Sequence, residues 1–292
     1  MVSMRRLSAT LAAVLALTVL AAPGALARSG GASVTLGART VSLRSEPIGV
    51  QITRRPYRLT ITRPGGGRAL SEVAARGASP LSVGALEDPF GPGLDRTNGP
   101  ALYAPLTFLV GTERLTQREG GVWGGNLLHG VRDGVVYSAR RVLRARRITG
   151  GVALLLSTDD PSGRRLRVLV RTLRGAVRIT ASPIPARGVV EVGDSVASSP
   201  REGFFGFGGR HNAVDQHGQV LSSWVSEENL ANVAGSPNLY PNGNTAAYDP
   251  QPEFFSTRPY GFLLAQPQLA RFRLDAGTSP AWSVSAVARR LG

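Results

Sequence analysis

Arg164-Arg165-Leu166-Arg167-Val168-Leu169-Val170-Arg171-Thr172 decides the fold. Leu166, Val168 and Val170 share one parity, and Arg165, Arg167 and Arg171 share the other. Side chains alternate between the two faces of a strand, so this segment belongs to a sheet with one dry face and one wet face. Just before it, Asp160-Pro161-Ser162-Gly163 reads as a turn, because proline fixes φ and glycine accepts positive φ. Further strands rich in Val, Leu and Ile are read at 135–141, 152–158 and 176–181. Residues 48–53 and 57–62 alternate likewise around Arg54-Arg55-Pro56 and read as a hairpin. Residues 102–110 form another β region, and the Gly- and Pro-rich residues 64–100 read as mostly loop.

Beyond residue 27, only the short 70–75 stretch carries apolar residues at helical spacing. Strands do not alternate with helices, which disfavours a (β/α)8 barrel or a dinucleotide fold. The expected class is all-β, an antiparallel β-sandwich.

The chain has 292 residues and a net charge of +15. Residues 1–27 read as a signal peptide: Arg5 and Arg6 precede an apolar run, and Ala25-Leu26-Ala27 is a small-residue cleavage site. Residues 28–40 read as a flexible leader and 41–292 as the sandwich domain. No later stretch approaches the ~20 apolar residues of a membrane span. The expectation is a secreted protein with no membrane partner after signal cleavage.

All 34 basic residues are arginine. In a chain also rich in Ala, Gly, Val and Pro, that bias points to coding composition more than to nucleic acid, and no nucleic-acid partner is expected. A solvated basic face is the plainer account. The absence of cysteine excludes disulfides, thiolate metal sites and cysteine nucleophiles.

The chemical motifs are sparse. Gly206-Phe207-Gly208-Gly209-Arg210 is followed by a polar turn-like run, whereas a phosphate cradle needs a helix N-terminus there. A glycine-permitted bend is the better reading. His211, Asp215 and His217 are metal ligands by type only, and turn hydrogen bonding outweighs that reading. No cofactor and no metal is implied. Asp159-Asp160 lies in a turn. Glu227-Glu228, if extended, points to opposite faces. Neither makes the closely spaced carboxylate pair of a retaining glycosidase, so no catalytic residue is assigned.

The specific signal lies between residues 203 and 275. It runs Gly203-Phe204-Phe205-Gly206-Phe207-Gly208-Gly209-Arg210, then Asp215-Gln216-His217-Gly218-Gln219 and Ser223-Trp224-Val225-Ser226-Glu227-Glu228-Asn229. Pro250-Gln251-Pro252-Glu253-Phe254-Phe255-Ser256-Thr257, Tyr260-Gly261-Phe262-Leu263-Leu264 and Phe272-Arg273-Leu274-Asp275 follow. This order resembles the N-terminal domain of family 31 glycoside hydrolases, the α-glucosidase and α-xylosidase family, in its sulfoquinovosidase-like branch. Gly209 departs from it, standing where the family usually has Glu.

The resemblance implies a galactose-mutarotase-like sandwich that works beside a catalytic (β/α)8 barrel carrying the two reacting carboxylates. No such barrel segment occurs before Gly292. The expectation is a truncated or separately encoded N-terminal domain, or an interrupted gene, with a barrel encoded downstream as its partner and no activity of its own. The partner it implies is carbohydrate, an α-glycoside. Residues 224–248 combine Glu, Asn, Tyr, Pro and Gly and read as a long surface loop. By resemblance, Trp224, Glu227, Glu228 and Asn229 are the substrate-binding candidates; a solvated linker is the plainer alternative. Two other functions stay open: a free-standing carbohydrate-binding module, from the aromatic loop, and a basic protein binding nucleic acid or acidic polymer, from the arginines at 140–187.

Overall fold

A computed structural model of the chain describes residues 32–75, 80–87, 102–119, 126–173, 175–210, 212–223, 225, 247, 249–275 and 280–292. The described residues form antiparallel sheets with one short 3-10 turn at Pro64–Gly66. None of their helices is long and apolar enough to cross a membrane.

The first sheet holds five strands in sequence order: β1 (Ser33–Leu36), β2 (Thr40–Ser45), β3 (Ile48–Arg54), β4 (Tyr57–Thr62) and β5 (Arg68–Ser71). The expected hairpin is β3–β4, with Arg54 opposite Tyr57. The second sheet has ten strands. These are β6 (Leu81–Glu87), β7 (Thr107–Glu119), β8 (Asn126–Ile148), β9 (Gly151–Thr158), β10 (Arg165–Leu173), β11 (Ala176–Ile184), β12 (Val189–Ala197), β14 (Val220–Ser222), β17 (Ala270–Leu274) and β18 (Ala281–Ala286). A small third sheet joins β13 (Phe204–Gly209), β15 (Asp249–Ser256) and β16 (Gly261–Leu263).

The core lies between the sheets. Val41, Leu43, Val50, Ile52, Tyr57 and Leu59 of the five-stranded sheet share one apolar cluster with Val152, Leu154, Leu166, Val168 and Val170 of the large sheet. The parity read from residues 164–172 is the observed one: Leu166, Val168 and Val170 are buried, and Arg165, Arg167 and Arg171 are exposed. The sandwich expectation holds.

The structure refines three expectations. Residues 33–36 are a strand, not a flexible leader, because Val34 and Leu36 pack on the core while the backbone pairs with β2. Within residues 64–100, read as mostly loop, lie the strands β5 and β6, and β5 replaces the helical spacing read at 70–75. The 135–141 strand is the middle of the long β8. Two bulges, at 139–141 and 142–144, break its alternation and let one strand serve two curved halves of the sheet. Residues 1–27, read as the signal, lie outside the described residues.

Candidate functional site

The small sheet is built from the residues that carry the family resemblance. β13 and β15 pair with Phe204 opposite Ser256 and Phe205 opposite Phe255. Phe204, Phe207, Phe254 and Phe262 turn inward with Phe272 and Trp282. Phe207 stacks on Phe254 at 5.2 Å, and Trp282 meets Phe254 edge-on at 5.1 Å. This is a favoured geometry for ring quadrupoles. The aromatic-rich region is therefore first of all core.

The glycine-rich run is a bulge inside β13. Phe207 sits at φ 69° and Gly208 at φ 77°. A Cβ on Gly208 would lie 1.7 Å from the Asp249 carbonyl oxygen, so only glycine lets β13 approach β15 here. Arg210 follows, donating from Nε to the Phe207 carbonyl at 3.2 Å and from Nη2 to that of Ser222. Burial pulls its pKa down to about 10, which leaves it charged at neutral pH.

Glu202 fastens this sheet to the rest. Its carboxylate accepts from Ser256 Oγ at 2.6 Å, Ser199 N at 3.1 Å and the hydroxyl of Tyr260. Arg258 Nη1 lies 3.4 Å away, and the Arg258 guanidinium also donates to the carbonyls of Ala197 and Ala69. The Ser-Thr-Arg end of the Pro-Gln-Pro segment is thus a structural knot. Asp215 accepts from Phe204 N and His217 N, both at 2.9 Å, and His217 Nδ1 lies 2.8 Å from the Glu202 carbonyl. Two of the three ligand-type residues therefore serve the turn; His211 lies outside the described residues.

The sequence candidates Trp224, Glu227, Glu228 and Asn229 also lie outside the described residues. The roots of their loop are placed. Ser223 exchanges hydrogen bonds with Ala270, N to O at 2.8 Å and Oγ from N at 2.9 Å. Val225 bridges Ala247 in parallel. Val225 and Ala247, between β14 and β15, are thus neighbours.

A second polar cluster, missed in the sequence, lies on the large sheet where β8, β7, β12 and β17 bring it together. Arg132 Nη1 is 3.0 Å from Glu191 Oε2, Arg271 Nη1 is 3.3 Å from Glu191 Oε1, and Arg271 Nη2 is 2.6 Å from Glu113 Oε1. Burial raises the Glu191 pKa, but Arg271 and Arg132 outweigh it and hold the carboxylate below its usual range. Burial dominates at Glu113 and raises its pKa against the pull of Arg271. The adjoining cleft measures about 70 Å³, well under the roughly 300–1,000 Å³ of a small-molecule pocket. Both oxygens of Glu191 are held by guanidinium groups. The cluster suits a clamp across four strands better than general acid–base work. Nothing in the sequence marks it, because its members come from distant strands.

No family model matches the chain, and no curated protein matches it by sequence. Solved structures do. A GH31 family sulfoquinovosidase from E. rectale, in complex with an aza-sugar inhibitor, superposes with a TM-score of 0.51 at 12% identity, over 83% of this chain and 31% of that one. A cycloalternan-forming enzyme from Listeria monocytogenes gives a TM-score of 0.44 at 13% identity, over 88% of this chain and 14% of that one. A GH31 dextranase from Flavobacterium johnsoniae gives 0.30 at 11% identity, over 90% and 26%. The chain therefore spans under a third of the length of the sulfoquinovosidase whose fold it shares.

Proposed function

We propose that this sandwich is the N-terminal, carbohydrate-associated domain of an exported α-glycosidase of the family 31 type, and that it does not itself cleave glycosides. The observation that carries the reading is the third sheet. The segments that resemble the family, 203–210 and 250–264, are the ones that pair to form it. Its inward rings are core, but its outward face leaves Phe205, Phe255 and Leu263 exposed, with Phe255 at 69%. Phe205 and Phe255 are direct cross-strand partners, so the apolar groups are contiguous. A bare apolar face of this kind suits the docking of a further body, here a catalytic barrel. The fold shared with the sulfoquinovosidase supports the same reading.

Three core carboxylates, Glu113, Glu191 and Glu202, are tied to arginine, and the buried Glu72 and Asp194 are held by backbone N–H groups and the Tyr57 hydroxyl, which suits a non-catalytic part. In this reading the loop rooted at Ser223 and Asp249 carries Trp224, Glu227, Glu228 and Asn229 to the rim of a sugar site completed by the barrel. Carboxylates and amides pair with sugar hydroxyls, and a ring covers an apolar sugar face.

The test supplies a sulfoquinovosidase-type barrel, stripped of its own N-terminal domain, by fusion to this chain. The expected result is turnover of a nitrophenyl α-glycoside by the fusion and none by the chain alone. Changing Glu227, Glu228 or Asn229 to Ala in the active fusion should lower kcat/KM by about 10-fold or more. Turnover by the isolated chain overturns the non-catalytic reading. A fusion no better than the stripped barrel overturns the partnership, and three unaffected variants remove the loop from the site.

A further inference from the structure

The outer face of β8–β11 is a field of arginine. The pairing places Arg141, Ser157, Arg165 and Ile184 in one cross-strand row and Arg144, Leu155, Arg167 and Ser182 in the next. Arg146 lies in a third row, and Arg171 stands directly opposite Arg178. All seven arginines are exposed. The other face of the same strands is the apolar core, so these guanidinium groups are fixed to a rigid platform.

Among the described residues the charge is uncompensated. Asp159 and Asp160 are the acids between residues 140 and 187. Asp159 is taken by Arg140 at 2.8 Å and Ser138 N at 2.6 Å, and Asp160 by Arg164 at 2.8 Å and Ser162 N at 2.8 Å. Among the described residues none of the seven arginines makes an ion pair. Like charges directly opposite on a sheet are destabilising, so the Arg171–Arg178 pair costs stability in the free protein and gains most from a bound anion.

The geometry selects the kind of anion. Strands lie ~4.8 Å apart, which separates the backbones at Arg144 and Arg167, two strands apart, by ~10 Å, with same-face neighbours along a strand ~6.8 Å apart. Charge repeated at that spacing along the face suits a linear polymer with acidic groups at regular intervals, several of which can be met at once. The guanidinium fork binds carboxylate with two parallel hydrogen bonds. No aromatic ring stands in these rows, whereas single-stranded nucleic acid is held by base stacking as well as charge. A small and an aliphatic residue, Ser157 and Leu155, lie between the arginines of the two rows and leave room for a sugar ring.

We propose that this face binds a linear acidic polysaccharide through its carboxylates, in a site separate from the α-glycoside loop and independent of the glycosidase reading.

The test is affinity electrophoresis and titration of the purified chain with polygalacturonate, with neutral dextran and single-stranded DNA as comparison polymers. Polygalacturonate should bind, with affinity falling steeply as salt rises, and dextran should not bind at this face. Arg144→Gln with Arg167→Gln should weaken polygalacturonate binding about 10-fold or more. Arg39→Gln with Arg44→Gln removes the same charge from exposed positions on the other sheet and should leave it within about 2-fold. Arg171→Gln should weaken binding while leaving the melting temperature unchanged or higher, which separates lost binding from lost fold. Absence of polygalacturonate binding overturns the proposal. Equal loss in the Arg39/Arg44 variant overturns it in favour of net charge, and tighter DNA binding at the same ionic strength overturns it in favour of nucleic acid.

Discussion

The phenol oxygen of Tyr260 joins two buried groups: it donates to Glu202 Oε1 and accepts from Trp282 Nε1 at 2.9 Å. Trp282 is 1% exposed and sits in the large sheet, while Tyr260 leads into the small one. One hydroxyl therefore couples the two sheets. Burial, followed by Glu202, raises the Tyr260 pKa, so the phenol keeps its proton across the working range.

Tyr260→Phe keeps the ring and removes that oxygen. It orphans the Trp282 indole N–H in a dry site and takes one donor from Glu202. A buried donor left unsatisfied costs ~1–3 kcal/mol. The unfolding free energy from urea titration should drop by about that amount, with the m-value unchanged. A loss below ~0.5 kcal/mol, the range of a neutral surface change, would remove Tyr260 from the coupling role.

That coupling shows where sequence reading stops. Strand β10 was legible because Leu166, Val168 and Val170 alternate with arginine over an uninterrupted run. β8 was not seen whole, because bulges near Arg140 and Leu143 shift its period twice. β1 and β5, four residues each, offer too few alternations to stand out from Gly- and Ser-rich surroundings. The family-like segments were legible as an order of motifs, yet their physical job was not. Glu202 meets Tyr260 across 58 residues of chain and Ser256 across 54. Such pairings leave no local signature, and Glu202 reads in isolation as an exposed acid. The Glu113–Arg271 pair spans 158 residues and was hidden for the same reason.

The bulge in β13 gives a paired prediction. At Gly208 a methyl group meets the Asp249 carbonyl oxygen at 1.7 Å and Gln251 N at 2.8 Å, on a backbone with φ of 77°. Its neighbour Gly209 has nothing within 4 Å of the same added atom. Gly208→Ala must separate β13 from β15 and should destabilise by ~3 kcal/mol or more, in the class of strained or overpacked sites. Gly209→Ala should lie within ~0.5 kcal/mol of the parent, since it meets no obstacle and lowers the entropy of the unfolded chain. Thermal melts of the two variants side by side provide the check, and equal melting temperatures would contradict the register at the bulge.

The last prediction concerns pH. Glu72 joins the five-stranded sheet to β12. Its Oε2 accepts from Leu59 N at 2.6 Å, its Oε1 from the Tyr57 hydroxyl at 3.1 Å, and its backbone bridges Val196. Beside it, Asp194 Oδ1 accepts from Ser195 N at 2.8 Å and Leu106 N at 3.0 Å, and its charge acts on Glu72. Burial raises both pKa values, Asp194 to about 7 and Glu72 well above its ordinary value, with Asp194 adding to the rise at Glu72. Two carboxyls in a dry site cannot both ionise cheaply, so the pair retains a proton at neutral pH.

The unfolded chain releases those protons near pH 4, so between there and the folded values the native state binds more protons than the unfolded one. Stability contributed by the pair is therefore full at low pH and falls as pH rises, with a limiting slope of ~1.4 kcal/mol per pH unit for each proton. Urea unfolding should show declining stability from about pH 5 to 8, a window above that in which Glu191, with its lowered pKa, titrates. Glu72→Gln keeps one acceptor oxygen, for Leu59 N, and puts an amide donor at the other position, where the Tyr57 hydroxyl can accept it; the site then holds one carboxyl instead of two. The variant should flatten this decline and be relatively more stable than the parent at the alkaline end. A parent profile flat across the window, or an identical slope in Glu72→Gln, would show that the two carboxyls do not share a proton.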